Sequence, residues 1–234
     1  MRKTFSVIIP VFNESAIINN TIEHVWQTAS GFDTELIIVD GDINGDTVKT
    51  IRNKQAIPMI TAKGRGRQMN KGASAASGEI LLFLHADTEL PANAFEAVSS
   101  LLDSGEYAGG AFALGIGSGK RIFRIIENMV SLRTRLTGIP YGDQAIFVRR
   151  DCFEKVRGFQ EIPLMEDVAF MRNLKRSGYK IGIIPQKVRT SARRWEREGV
   201  FFCTLRNWLL ISLYLLGTDP QKLERLYYRD RHGK

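Results

Sequence analysis

Short apolar runs recur along the first part of the chain: Val7–Ile9 in TFSVIIPVFNE, Leu36–Val39, Ile57–Ile60 and Ile80–Leu84. Runs of this length, bounded by polar residues, predict strands buried on both faces. The first, from Thr4, is expected to end at Val11 or Phe12, and ELIIVDG predicts a second ending on Asp40. IPMIT is a short third strand, and Glu79–Leu84 a fourth. Between them the period changes. Ile17, Ile18, Ile22, Val25 and Trp26 recur at spacings of three and four and predict a helix over Ser15–Ala29. A second helix is expected from about Asp46 to Lys54, and a third, rich in small residues, after the glycine-opened turn of GRGRQMNKGASAASG. Pro91 suits a helix start, with Ala94–Leu102 continuing it. Alternating strand and helix predict a parallel sheet with helices on both faces. Right-handed crossovers would set the strands' C-terminal ends along one edge.

The second half has a different rhythm. GGAFALGI is a strand candidate, Arg121–Leu136 an amphipathic helix, AIFV a strand, Met165–Ser177 a helix and YKIGIIP another strand. From about Gly199 the pattern is helical to the end. The expected class is therefore α/β: a mixed, mainly parallel sheet flanked by helices, with a helical C-terminal tail. No linker-like break divides the 234 residues, so one domain is expected. Residues 1–105 form one half, 106–198 a second, and 199–234 the tail.

Composition changes this picture little. Hydrophobic content of 44% and charged content of 25% suit a globular protein. The net charge of +8 favours anionic partners, namely nucleotides, lipid headgroups or nucleic acid. The basic residues are scattered and no recognition motif is present, so nucleic acid is not expected. Cys152 and Cys203 lack metal-site spacing and read as free thiols of a reducing compartment. The apolar stretch after Arg2 and Lys3 is cut short by Pro10, Asn13 and Glu14, so no signal peptide is expected. A cytoplasmic location follows.

Candidate chemistry lies where the strands end. Asn13 and Glu14, Asp40, and His85 and Asp87 all follow predicted strands. Ligands of open α/β sheets bind outside those ends. Polar residues there also begin loops and cap helices, which accounts more easily for one such end than for three. GRGRQMN begins like a dinucleotide fingerprint but lacks the third glycine and follows the third strand. GIGSGKR is not a phosphate loop, because Leu114 occupies the first glycine position and Arg121 follows the lysine. A carboxylate such as Asp87 can hold Mg²⁺ or Mn²⁺ against a diphosphate.

Taken together, SVIIPVFNE, IIVDG, LFLHADT and the MED of Met165–Asp167 resemble the family 2 glycosyltransferases of GT-A fold over roughly residues 4–190. GRGRQMNKGA, FLHADT, GDQAIFVRR and RRWEREG further resemble a bacterial subgroup described as radical-SAM or selenodomain-associated transferases. The resemblance implies a sugar moved from a nucleotide-sugar donor, UDP by default with GDP open, to an unknown acceptor. It implies inversion by direct displacement. Pro10, Val11, Asn13 and Glu14 match the segment cradling base and ribose, and Asp40 the residue reading the base edge. Gly41 stands where many relatives carry a second acid. Arg65 or Arg67 would reach the nucleotide or its phosphates. Asp87 matches the last acid of the metal-binding motif, and His85 stands at the first, which favours Mn²⁺ slightly over Mg²⁺. Glu166 and Asp167 match the pair supplying the general base; Asp167 is expected to be the base and Glu166 to support it. Gly142, Asp143 and Gln144 would border donor sugar and acceptor. Arg193, Arg194 and Trp195 resemble the motif that closes over the diphosphate, although Ser191 replaces its glutamine.

The alternatives are a nucleotidyltransferase and a non-catalytic nucleotide-sugar-binding protein. The segment Phe201–Gly217 is the longest apolar one and falls short of the ~20 residues of a spanning helix. It suits packing on the domain, contact with a second subunit, or a membrane surface that presents a lipid-linked acceptor.

Overall fold

The computed structural model describes residues 3–229; the last five residues of the expected helical tail, 230–234, lie outside them. In chain order the elements are β1 (Thr4–Val11), α1 (Ile18–Thr28), β2 (Asp33–Asp40), β3 (Ala56–Ile60), α2 (Arg65–Ala75), β4 (Ile80–Phe83), β5 (Thr88–Glu89) and α3 (Ala94–Asp103). They continue with β6 (Gly109–Ile116), α4 (Arg121–Thr137), β7 (Ile146–Arg149), α5 (Arg150–Lys155), α6 (Glu166–Arg176), β8 (Ile181–Thr190), α7 (Arg193–Glu198), α8 (Val200–Leu215) and α9 (Pro220–Arg229). Single 3₁₀ turns occupy Val48–Thr50 and Gly142–Gln144.

One sheet of eight strands runs in the order β3-β2-β1-β4-β7-β6-β8-β5. β3, β2, β1 and β4 are parallel, as the alternating first half predicts. β7 then returns antiparallel along β4, and β6 antiparallel along β7. The central strands are buried on both faces. Val7, Ile9, Leu36, Ile38, Ile80 and Leu82 belong to the core under α1 and α3. Ile8, Ile37, Val39, Leu81 and Phe83 belong to the opposite core under α2, α5 and α6. The period-two alternation is therefore present but joins two apolar layers, which is why the sequence shows unbroken runs.

Several boundaries differ from the expectations. α1 begins at Ile18 rather than Ser15, because the N–H groups of Ile17 and Ile18 both donate to the Glu14 carbonyl. The helix expected over Asp46–Lys54 is the single turn Val48–Thr50, and the backbone is already extended at Ile51, where ψ is 126°. Pro91 lies ahead of α3, its carbonyl accepting the Ala94 N–H. β8 runs on to Thr190 past Pro185; the pairing slips between Phe112–Ile184 and Ala113–Lys187, and the resulting bulge accommodates the proline. β5, α5 and α7 are too short for a periodic signal.

One side chain fixes the sheet edge on which the strands end. The buried Gln68 of α2 donates from Nε2 to the carbonyls of Val11 and Val39, each at 2.8 Å. It thereby ties the ends of β1 and β2 to the helix. A Cβ on Gly41 would lie 2.9 Å from the Gln68 carboxamide. Glycine at this position is thus the steric counterpart of Gln68. Replacing Gln68 with leucine keeps the volume but removes both bonds, and a lost buried partner costs roughly 1–3 kcal/mol. The Gln68→Leu chain is expected to unfold at correspondingly lower urea concentration.

Candidate functional site

β4 brings the two halves of the site together. Phe83 pairs with Ile8 on β1 and with Ile146 on β7. The Leu84 N–H donates to the Ile8 carbonyl at 3.0 Å and carries this track one residue further. By register, His85 then falls level with Pro10 on one side and with Gln144 on the other. The turn Gly142–Gln144 abuts the imidazole so closely that a Cβ on Gly142 would sit 3.0 Å from His85 Nε2. The same Cβ would lie 3.2 Å from Asp167 Oδ2.

Asp167 is in the first turn of α6. Its Oδ2 accepts the Gly142 N–H at 2.6 Å, and its Oδ1 accepts the Val168 N–H at 2.7 Å. Charge near a helix N-terminus of this kind is stabilised by the exposed N–H groups. Glu166 beside it is only 2% exposed and pairs with Arg65 at 3.1 Å. Burial and, against it, the Arg65 charge act on Glu166, and the balance with nearby Asp167 leaves its carboxyl above the usual range. Pro10, Arg65, His85, Gly142, Glu166 and Asp167 all line one small cavity of about 10 Å³, room for roughly one water. His85 is neutral: burial, with the Arg65 and Arg194 charges, holds it down to about 3. Asp143 is pushed the other way, up to about 6, by burial, against the attraction of Arg133 and with the repulsion of Asp167. Its Oδ1 is buried without a hydrogen-bond partner among the described residues.

A second group lies at the rim. β5 pairs antiparallel with β8, Thr88 opposite Thr190, and the Ser191 N–H donates to the Asp87 carbonyl at 3.0 Å. This clasp brings the arginines of RRW beside Asp87. Arg193 reaches Asp87 Oδ2 at 3.7 Å and Glu14 Oε2 at 3.6 Å. Burial raises the Glu14 carboxyl, opposed by Arg193 and reinforced by Asp87. Arg194 is exposed, and its charge acts on Glu14 at the rim and on His85 and Asp143 inside. Among the described residues no three His, Cys, Asp or Glu side chains gather as a metal cluster. Asp87, one-third exposed, presents a carboxylate held, among the described residues, by the loose Arg193 pair alone.

Other expected site residues have different surroundings. Asp40 is fully buried; its Oδ1 accepts the Asp42 N–H at 2.9 Å, and its Oδ2 those of Thr47 at 2.9 Å and Val48 at 3.2 Å. It shapes the loop after β2. The Thr47 hydroxyl in turn accepts the Glu14 N–H at 3.1 Å, so Asp40 acts on the rim at one remove. Gln144 is buried, with its Nε2 donating to the Phe112 carbonyl and its Oε1 accepting from Arg133, Thr134 and Tyr141. Trp195 packs edge-on against Phe123, ring centroids 6.0 Å apart. Arg67 pairs with Glu161 at 2.8 Å and lines a separate cleft of about 310 Å³ with Lys63, Pro163 and Arg225. Val11 is buried at the end of β1, while Phe12 and Asn13 are exposed just beyond it.

Some participants went unnoticed in the sequence. Arg133 stacks 3.2 Å from the Tyr141 ring centroid and steadies the turn that carries Asp143. Lys63 lies 4.3 Å over the Phe12 ring next to the end of β1. Neither pair has a local signal, since each joins residues from different elements. Among the described residues four non-glycine ones have positive φ, and three of them flank the site: Asn13 at 58°, Ala145 at 49° and Met165 at 68°. Such backbone persists only where packing imposes it.

Comparison with known proteins bears on the fold and the family. A mannosyltransferase from Pyrobaculum calidifontis, solved in complex with GDP-Man and Mn²⁺, superposes with a TM-score of 0.63 over 81% of this chain and 57% of its own, at 19% identity. Staphylococcus aureus TarS, residues 1–349, gives 0.60 over 96% and 69%, at 15% identity. These likenesses identify the GT-A fold. In sequence, a glucosyl-3-phosphoglycerate synthase from Mycobacterium tuberculosis is 29% identical over 94 residues, 36% of this chain and 29% of the synthase. A PGL/p-HBAD biosynthesis glycosyltransferase from Mycobacterium bovis is 32% identical over 93 residues, 37% of this chain and 36% of the relative. The matched parts therefore span about a third of these relatives. The family model for glycosyl transferase family 2 matches residues 6–158, well over half of the chain. With that span and the GT-A fold together, this chain belongs to glycosyl transferase family 2.

Proposed function

We propose that this chain transfers a sugar from a nucleotide-sugar donor to an acceptor hydroxyl with inversion, Asp167 serving as general base. The observation that carries this reading is the Asp167 carboxylate, fixed by the Gly142 N–H at 2.6 Å in the cavity that His85 and Arg65 also line. In a direct displacement the base takes the acceptor proton as that oxygen attacks the anomeric carbon, and the nucleoside diphosphate leaves from the opposite face. Glu166 holds Arg65 and is itself enclosed, which suits support rather than proton transfer. Arg65, Arg193 and Arg194 are the cations available to the departing diphosphate, for which a guanidinium fork is well shaped. The glycosyltransferase relatives support this class of reaction.

Asp87 fits a divalent ion of the kind present in the Pyrobaculum neighbour, because such ions are commonly held by one or two carboxylates plus substrate phosphates. When bound, the ion supplies positive charge to the leaving group. His85 is neutral, as a ligand must be, but the Arg65 and Arg194 charges oppose a further cation there. We therefore assign the ion to Asp87 first and to His85 second, with Mn²⁺ ahead of Mg²⁺. UDP is the nucleotide we propose from the motifs. GDP is the second reading, favoured by the neighbour's GDP-Man. The motifs GRGRQMNKGA and RRWEREG support placement in the radical-SAM or selenodomain-associated subgroup, and the apolar tail supports a lipid-linked acceptor.

A thermal-shift screen with UDP- and GDP-sugars tests the donor, since ligands that bind the folded state raise its apparent stability. Asp87→Ala is expected to abolish the Mn²⁺-dependent part of the donor shift and leave the metal-free part. Asp167→Asn should keep donor affinity and lower kcat by about 10²–10⁴-fold, the usual worth of a general base. Loss of donor binding in that variant would count against a purely catalytic Asp167. Release of pyrophosphate instead of nucleoside diphosphate would point to nucleotidyl transfer.

Asp143 supplies a pH test. Its carboxyl titrates near 3.8 ordinarily and at about 6 here, so the folded chain holds this proton more tightly than the unfolded chain. Stability from this group is therefore full below about pH 4, falls as pH rises to about 6, and stays low above. Asp143→Asn is expected to remove that fall, so its gain in Tm over the parent should be larger at pH 7 than at pH 4.

A further inference from the structure

Among the described residues, two helices leave apolar faces without a partner. On α8 the buried residues are Cys203, Arg206 and Leu210. Its opposite side carries Phe201, 79% exposed, Leu205, 71%, and then Trp208 and Leu209. α4 buries Phe123 and Ile126 and presents Ile125, Met129, Leu132 and Leu136 outward, at spacings of four, three and four. The helices are joined by a small core in which Phe123, Ile126, Trp195 and Val200 meet. Neither helix has an exposed acid. Glu127 is the one carboxylate in their sequences; it is 2% exposed and pairs with Arg124 and Lys187. Arg121 and Arg135 are exposed on α4, and the chain carries a net charge of +8. No described helix is long and apolar enough to cross a membrane.

We infer that α4 and α8 together dock this chain on an anionic lipid surface. Large apolar side chains with tryptophan, framed by arginine and free of exposed carboxylates, are the makeup of a helix lying in the headgroup region. Anionic headgroups supply the complementary charge. The placement also has a catalytic sense, which rests on the glycosyl-transfer reading. The inner side of α8 contributes Leu210, Leu213 and Tyr214 to a core that takes in Leu164 and Met165. Those two residues lead directly into Glu166 and Asp167. The Asp167 charge reaches Tyr214, whose hydroxyl is raised first by burial, against Arg172 and with Asp167. α8 thus packs on the segment that leads into the acidic first turn of α6. An acceptor anchored in that surface would meet the chain beside this segment.

Flotation of the full chain with vesicles of phosphatidylglycerol or of phosphatidylcholine, at low salt, tests the surface. Binding to phosphatidylglycerol is expected, weaker by about tenfold or more on phosphatidylcholine and in high salt. Leu132→Gln and Leu205→Gln, each at an exposed position, should each reduce binding, and together should reduce it by about tenfold or more, with thermal unfolding unchanged. A chain that stays with the aqueous phase on both vesicle types overturns the inference. So does equal binding to both lipids, or binding indifferent to the two substitutions. A dimer in solution that these substitutions dissociate, without vesicle binding, would assign the faces to a second copy instead. Flotation requires no donor or acceptor, so failed sugar transfer with intact vesicle binding would count against the enzymatic reading and leave the surface standing.

Discussion

Everything in the site depends on β4 having two different neighbours. It runs parallel to β1 and antiparallel to β7, so a single strand end faces both halves of the chain. The parallel side delivers Pro10 and the Glu14 loop. The antiparallel side delivers Gly142 and Asp143, and behind them α6 with its acidic first turn. A slip of one residue on either side would turn the alternate face inward and separate His85 from Gly142. Both faces of β4 are apolar, with Ile80 and Leu82 in one core and Leu81 and Phe83 in the other, so the fit of unequal side chains, rather than polarity, holds the register.

The charges gathered at this point are unequal in their freedom. Glu166 and Arg65 form a partly enclosed pair, and removing one member would leave the other charge without compensation. Asp167 has backbone donors on both oxygens and still faces the cavity. Asp87 and Glu14 share Arg193 at separations of more than 3.5 Å, looser than a hydrogen-bonded pair. Rigid groups therefore sit inside and adjustable ones at the rim, the order expected where a flexible diphosphate must enter before the reaction starts.

The parallel strands and the edge on which they end were legible in the sequence, because buried runs with polar ends have few other physical meanings. The ED pair stood out in sequence only as a motif match; the structure adds that Glu166 is held by Arg65 and Asp167 by the Gly142 N–H. The surroundings of Asp40, Gln144 and Trp195 were not. A carboxylate that binds ligand and one that caps its own loop look the same in sequence, and Asp40 differs only through the backbone of Thr47 and Val48. Gln144 is read correctly only once Phe112, from a distant strand, is known to accept its amide. The helix expected over Asp46–Lys54 is cut short in packing terms: Val48 and Ile51 supply one turn's worth of apolar contact, and the backbone is extended from Ile51. Gly41 looked like a lost acid, whereas its neighbour Gln68 makes it a packing requirement.

The left-handed backbone at Asn13, Ala145 and Met165 has a consequence for how this chain could change. Ala145 and Met165 hold a conformation their side chains disfavour, kept in place by what surrounds them, while Asn13 is of the type that adopts it most readily after glycine. Glycine would relax each locally, yet it would also release the segment to wander, with Asp167 following from Met165. Selection for heat tolerance and selection for a fixed carboxylate would thus pull in opposite directions at Met165.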